Sequence, residues 1–347
     1  MNIYTSFSKI FFVLFLIFLG FNFLIWNLIV EDSYKGGDLS RMTYNPKYVT
    51  KKVIDEISEP NFINFNNYNG EQIDLLTIGD SFSNSLDIPY QKFISKKNNI
   101  KVLNISNLEN TKNYLETIYL LLNSGFLEEK KIKYILIESV QRQIIKRFLK
   151  KIDIFINTEK DSSNLIKGSK IIYSQGLNSG MSFINNLNFN AFLYKIFYNF
   201  DDNAFFSKAY VTTLNKNVFS DMSMSNLLLF YRDDIRNLYL EKNSNIIKIN
   251  NQLNELSLIL KKKNIELIFM PAVNKLNLYY EYLEEKKYPK SNFFEELRIL
   301  KKNYQFIDTK KILKEEIEKG TLDVFYFDDT HWSYKASEAI INEINLD

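Results

Sequence analysis

The sequence predicts an α/β protein with a mainly parallel central sheet, a large insertion and an N-terminal transmembrane helix. Three observations carry this. From about residue 72, short runs rich in Val, Ile and Leu alternate with helical stretches, the pattern of strands and crossover helices in a layered fold. Between about 141 and 240 that rhythm breaks. At the other end, Ile10 to Val30 is an uncharged run of 21 residues, interrupted only by Gly20, Asn22 and Asn27.

As a helix the uncharged run measures about 31 Å, enough to cross a hydrocarbon core of about 30 Å. A cleaved signal peptide is the rival reading, but its apolar region runs to about 7–15 residues and ends in small residues. Leu28-Ile29-Val30-Glu31-Asp32 provides no such cleavage site. Lys9 precedes the run while Glu31 and Asp32 follow it. The positive-inside bias therefore places residues 1–9 in the cytoplasm, with 10–30 as a single-pass anchor in the cytoplasmic membrane. Everything from about 31 onward is expected on the periplasmic or extracytoplasmic side.

Residues 31–70, polar and containing Gly36-Gly37 and Pro46, read as a linker with a short helix. Residues 71–347 are then expected to form one domain. Strands are expected at Ile73–Ile78, Lys101–Ile105, Tyr134–Glu138, Ile265–Pro271 and Gln305–Asp308. Helices are expected at Thr111–Leu122, Asn245–Lys262, Ile312–Lys319 and Tyr334–Ile344. The 141–240 insertion reads as packed beside the sheet. Its aromatics, Phe183, Phe189, Phe192, Tyr194, Phe197, Phe200, Phe205 and Phe206, read as core, with carbohydrate stacking as the sharper alternative.

Composition narrows the chemistry. With 44 basic and 41 acidic side chains the net charge is +3, which argues against a dedicated nucleic-acid binder. The absence of cysteine rules out disulfides, thiolate metal sites and cysteine nucleophiles. A single histidine, His331, rules out any multi-histidine metal site. The adjacent acids Asp201-Asp202 and Asp233-Asp234 read as solvated. No metal and no cofactor is implied.

One segment joins a strand to a reactive residue: Asp74 to Ile78 runs into Gly79-Asp80-Ser81. Glycine permits a sharp turn, which would leave the serine exposed at a helix start at the carboxyl end of a strand. Gly-Asp-Ser alone is weak, and serine is a common helix cap. A serine hydroxyl also needs a base. The sole histidine lies in Phe327-Asp328-Asp329-Thr330-His331-Trp332-Ser333, where either aspartate could fix the imidazole tautomer or cap the last helix.

These motifs resemble the SGNH/GDSL hydrolase superfamily: Gly79-Asp80-Ser81 early and Asp-x-x-His late. Asp329-Thr330-His331-Trp332 is similar to the Asp-Thr-His-Trp signature of its alginate O-acetyltransferase-like branch. Leu267 to Pro271 followed by Lys275 and Tyr279-Tyr280, and Tyr134 to Glu138 followed by Gln141-Arg142, resemble two further segments of that branch. The resemblance covers roughly 70–345. It implies a three-layer, flavodoxin-like fold with Ser81, His331 and Asp328 or Asp329 as a catalytic triad. Superfamily spacing selects Asp328 and the longer signature Asp329; the serine-first order favours Asp328. Two superfamily features are missing, the second-block glycine and a Gly-x-Asn-Asp block, so the oxyanion hole needs other donors. Ser81 N–H, Asn84, Asn107 and Arg142 are the candidates.

By resemblance the chain is expected to be an O-acyltransferase, acetyl above all, acting on an extracytoplasmic glycan such as exopolysaccharide, capsule or peptidoglycan. The branch works with a multipass membrane acyltransferase as acyl donor, and a tethered enzyme gains effective concentration for that handoff. A carbohydrate or lipid esterase, and a silent scaffold of a polysaccharide acetylation machine, are the alternatives.

Overall fold

The computed structural model describes residues 3–50, 61–84, 89–105, 113–150 and 183–346. The described residues group into two compact units. One is drawn from 53–173, 233–325 and 331–347 and contains the main sheet; the other is drawn from 1–52, 174–232 and 326–330.

The strands are β1 (Phe62–Asn64), β2 (Leu75–Ile78), β3 (Val102–Ile105), β4 (Tyr134–Val140), β5 (Ala209–Thr213), β6 (Leu227–Tyr231), β7 (Glu266–Ala272) and β8 (Gln305–Phe306). Six of them form one sheet in the order β1-β3-β2-β4-β7-β8, and every neighbouring pair is parallel. All residues of β2, β3 and β4 are buried. Strands buried on both faces are mostly apolar, which explains their Leu, Ile and Val content; the buried polar residues Thr77, Asn104, Glu138 and Ser139 are the exceptions.

The chain leaves β2 for β3 on one side, then crosses back to β4 on the other and continues outward to β7 and β8. Ile78 at the end of β2 lies between Ile105 and Ile137, and β4 runs on to Val140. The order reverses between β2 and β4, the switch point where ligands bind at the carboxyl ends of open α/β sheets.

The four helices expected from the sequence appear as Tyr114–Asn123, Asn243–Lys261, Thr309–Glu318 and Tyr334–Asn342. Two begin at side-chain caps: Asn113 accepts from Glu116 N–H and Asp308 from Lys311 N–H. Asp308 thus starts a helix instead of ending a strand. The helix Gln141–Phe148 directly follows β4, within the stretch read as the start of the insertion. It packs on Tyr114–Asn123 and Asn243–Lys261, while Tyr334–Asn342 packs on Tyr90–Asn98 and Thr309–Glu318.

In the other unit, residues 3–33 form one continuous helical rod with a π turn at Trp26–Val30. This is a helix long and apolar enough to cross a membrane. The short helix Asp38–Thr43 and the antiparallel pair β5–β6 belong to the same unit. So does the helix Asn186–Phe197, which packs on the second half of the rod: Ala191 joins Ile29 and Val30 in a small core flanked by Trp26, Tyr44 and Leu187. Residues 183–232, inside the expected 141–240 insertion, share a unit with the N-terminal segment. The aromatics read as core divide. Tyr194 is buried and Phe197 half-buried, but Phe183, Phe189, Phe192, Phe200, Phe205 and Phe206 are exposed. Helical spacing and aromatic content mark an apolar face without telling what covers it.

Candidate active site

β2 ends at Ile78, and Gly79 to Asn84 make a tight turn in which Asp80 O accepts from Ser83 N–H (3.1 Å) and Asn84 N–H (3.1 Å). Ser81 is exposed, while Phe82 and Ser83 on either side of the turn point inward and are buried. The need for glycine is a close approach, since Gly79 is not among the positive-φ residues. A Cβ there would run into Ser83 Oγ and come within 2.5 Å of Glu138 Oε2. Among the described residues the next helix begins at Tyr90, so Ser81 sits in a turn and not at the first turn of a regular helix.

Beneath the turn lies a buried polar network. Asp80 N–H donates to Glu138 Oε2 (3.0 Å), and Ser83 Oγ donates to the same oxygen (2.8 Å) while Tyr90 OH lies 2.9 Å from Ser83 Oγ. The Asp80 carboxylate accepts from Val140 N–H (2.9 Å) and Phe82 N–H (3.2 Å) and is ion-paired with Arg147. Arg147 also donates to Ser139 Oγ (2.7 Å). Burial alone would raise the Asp80 carboxyl, but the Arg147 guanidinium and the Val140 and Phe82 N–H groups outweigh it and hold it below the usual range. Glu138 is pushed well above the carboxylate range by burial and then by the Asp80 charge beside it. Its Oε1 has no hydrogen-bond partner among the described residues.

Asn104, the last residue but one of β3, ties the turn to the sheet. Its Nδ2 donates to Ser83 O (3.1 Å) and Asn84 Oδ1 (2.9 Å), and its Oδ1 accepts from Thr77 Oγ1 (3.0 Å) and Gln91 Nε2 (3.1 Å). Nothing in the local sequence singles out Asn104, Tyr90, Gln91 or Arg147. Each works through side chains brought close only by the fold, and no local spacing announces them.

His331 arrives from the chain's last connection. Phe325 and Trp332 form a β-bridge, and Ser333 N–H donates to Val324 O (2.9 Å) before the helix Tyr334–Asn342 starts. The imidazole is half-buried, with the Phe82 ring 4.8 Å from it, centroid to centroid; Phe82 also packs edge-on against Trp332 at 4.7 Å. His331 Nε2 lies 2.8 Å from Ser81 Oγ. With Nε2 unprotonated, the hydroxyl donates to it, the arrangement in which a base can take the serine proton.

The other sequence candidates lie as follows. Asp328 is fully buried within its unit, where its carboxylate accepts from Gly37 N–H (2.8 Å), Thr50 N–H (3.2 Å) and Thr50 Oγ1 (2.8 Å). Its carbonyl accepts from Leu39 and Ser40 N–H. It fastens the N-terminal segment. Asp329 is buried too, its N–H donating to Tyr326 O (3.4 Å). Asn84 is half-buried, and with its Oδ1 held by Asn104 it has only its N–H donors to offer. Asn107 lies outside the described residues.

Arg142 turns elsewhere, pairing with Asp234 at 3.3 Å. The arginine that reaches the Gly-Asp-Ser turn is Arg147, five positions on. Asp234, expected to be solvated, is in fact buried, and burial pushes its carboxyl up to about 6 despite Arg142. Nearby, Gln141 Nε2 donates to Glu241 Oε1 (3.0 Å) and Ser291 Oγ (2.6 Å), and its Oε1 accepts from Asn274 N–H and Asn277 Nδ2. Burial pushes Glu241 up to about 7 against the pull of Ser291 and Gln141. Lys275 and Tyr279 are both buried in the short helix after β7.

Comparison with family models, with curated proteins and with solved structures finds no match to this chain.

Proposed function

We propose that this chain is a membrane-anchored serine O-acyltransferase of the SGNH type that modifies an extracytoplasmic glycan, most simply by acetylation. The observation that carries the reading is the 2.8 Å approach of His331 Nε2 to Ser81 Oγ at the carboxyl end of β2. It pairs the one histidine of the chain with an exposed serine at the switch point of a parallel sheet. Leaving the edge strand β1 aside, the order β3-β2-β4-β7-β8 is the flavodoxin-like order, in keeping with that superfamily.

In the proposed reaction, His331 Nε2 takes the Ser81 proton as Oγ attacks the acyl carbonyl carbon. The carbonyl oxygen becomes an oxyanion, for which the Ser81 N–H and the Asn84 amide are the proposed donors. The bond to the donor's leaving group breaks, and the leaving group departs with the proton from His331. A sugar hydroxyl then gives its proton to His331 and attacks the acyl-serine ester, and Ser81 Oγ leaves and is reprotonated. The imidazolium formed twice in this cycle needs an acid at Nδ1. Because the Asp328 carboxylate is occupied by Gly37 and Thr50, Asp329 is the proposed acid. A multipass acyltransferase in the same membrane is the proposed donor, and periplasmic exposure of the sheet unit follows from it.

The test is acetyl transfer by the full chain in detergent from an activated acetyl ester to oligosaccharide acceptors, with ester on the glycan and free acetate measured side by side. Ester on the glycan supports the transferase. Acetate release with no glycan product from any acceptor leaves an esterase. If Ser81→Ala leaves cellular glycan acetylation unchanged, the chain is a scaffold.

A further inference from the structure

We propose that the helix Asn186–Phe197 and the residues after it up to Phe206 form a second membrane element, lying in the outer part of the same bilayer that the N-terminal rod crosses. This rests on the rod and not on the Ser81 chemistry. Leaving the rod aside, eight of the fourteen large apolar side chains exposed among the described residues fall between Phe183 and Phe206. Phe189, Phe192, Ile196 and Phe200 recur at helical spacing, forming one outward apolar face, and the exposed Phe205 and Phe206 pack on Phe197 of the same helix. Phe200 is 75% exposed, and aromatic side chains at this density on a water-facing surface mark an interaction site.

The opposite face of this helix identifies the occupant. Asn188 and Ala191 are fully buried, and Tyr194 nearly so. Asn188 Nδ2 donates to Asn22 Oδ1 (2.9 Å) in the middle of the apolar run. At the edge of the outward face Phe192 meets Phe21 edge-on at 5.4 Å, and just before the helix Phe183 meets Phe23 at 6.0 Å. The contacts thus fall on residues 21–30 of the rod, about 14 Å of its length at 1.5 Å per residue. If the uncharged run from Ile10 fills a core of about 30 Å, that stretch is its outer half. A helix held there cannot have its free face in bulk water. The Asn22–Asn188 amide pair supports the same depth, because a polar side chain in hydrocarbon is stabilised by an interhelical partner. Lys195 on the helix and Lys208 after it are both exposed and suit the headgroup level. The partner is therefore a phospholipid bilayer, continuous with the one around the rod.

The chain's lack of cysteine makes the test direct. Single-cysteine variants at Phe189, Ile196 and Phe200 of the full chain carry a nitroxide in vesicles of phosphatidylcholine and phosphatidylglycerol. Accessibility to oxygen and to a water-soluble nickel chelate is measured by power saturation. Phe11→Cys serves as the lipid reference and Met222→Cys, at a site 93% exposed in the same unit, as the aqueous one. We expect the three labels to match Phe11, colliding with oxygen and losing collisions with the chelate. Chelate collisions equal to those at Met222 would overturn the proposal, and so would exclusion of both relaxants, which would mean a protein covers the face. Phe192→Cys gives a fourth position should any label lower Tm.

Discussion

Replacing Arg147 with methionine removes the cation from a buried pair while keeping most of the side chain's volume. Asp80 is left with the Val140 and Phe82 N–H groups at 2.9 and 3.2 Å, and with Glu138 beside it. Breaking a buried ion pair from one side costs about 3–5 kcal/mol. The Arg147 side chain is 25% exposed, so water can partly replace it and the cost falls toward the lower end, about 3 kcal/mol. For a unit of this size that lowers Tm by about 6–12 °C. The sign with pH follows from Asp80. Its folded carboxyl lies below its unfolded value, so the stability it contributes is present above about pH 4 and is lost as pH falls through the folded value. Arg147→Met should therefore differ most from the parent at neutral pH and converge on it in acid. Arg147→Lys keeps the charge but not the fork that also reaches Ser139 Oγ, and should lose less. The assay is thermal unfolding of the full chain in detergent across pH. An unchanged Tm at neutral pH, or an equal loss at all pH values, would refute the role given to this pair.

Gly79→Ala places a methyl against Ser83 Oγ and Glu138 Oε2, so about 1–3 kcal/mol of overpacking is expected, and reaction of Ser81 with a fluorophosphonate probe should slow. Asn104→Ala leaves the buried Thr77 hydroxyl and Gln91 amide short of a partner, costing about 1–3 kcal/mol by denaturant unfolding. Glu241, pushed up to about 7, binds its proton more tightly folded than unfolded. Its contribution is fully present below about pH 4.3 and is lost as pH rises toward about 7, so Glu241→Gln should flatten the fall in Tm over that window.

The strands that carry the site were legible because a buried parallel strand is mostly apolar on both faces and shows as a short Leu, Ile and Val-rich run, even where Thr77, Asn104 or Glu138 interrupts it. β1 was not: Phe62–Asn64 is only three residues long, in an Asn-rich stretch, and exists through its pairing with β3. The helix Gln141–Phe148 is strongly amphipathic, yet the break in rhythm at 141 hid it inside the insertion. At the site, Ser81 and His331 could be found because both are chemically rare in context: a serine after a strand and the sole histidine. Arg147 is one of 44 basic residues, and nothing in its neighbourhood distinguishes it from a solvated charge until Asp80 is seen beside it. The choice between Asp328 and Asp329 was likewise beyond spacing. What occupies Asp328 comes from Gly37 and Thr50, nearly 300 residues away in the chain.

The central claim is that Ser81 is the nucleophile and His331 its base. Its most direct measurement is peptide mass spectrometry of the full chain after brief exposure to p-nitrophenyl acetate, in the parent, Ser81→Ala and His331→Gln. The account predicts one acetyl group on the Ser81 peptide of the parent and none in Ser81→Ala. In His331→Gln it predicts a rate lower by several orders of magnitude, since triad members act as a unit worth on the order of 10⁶ in rate. No acetyl on Ser81 in the parent, or acetylation indifferent to His331, would contradict it.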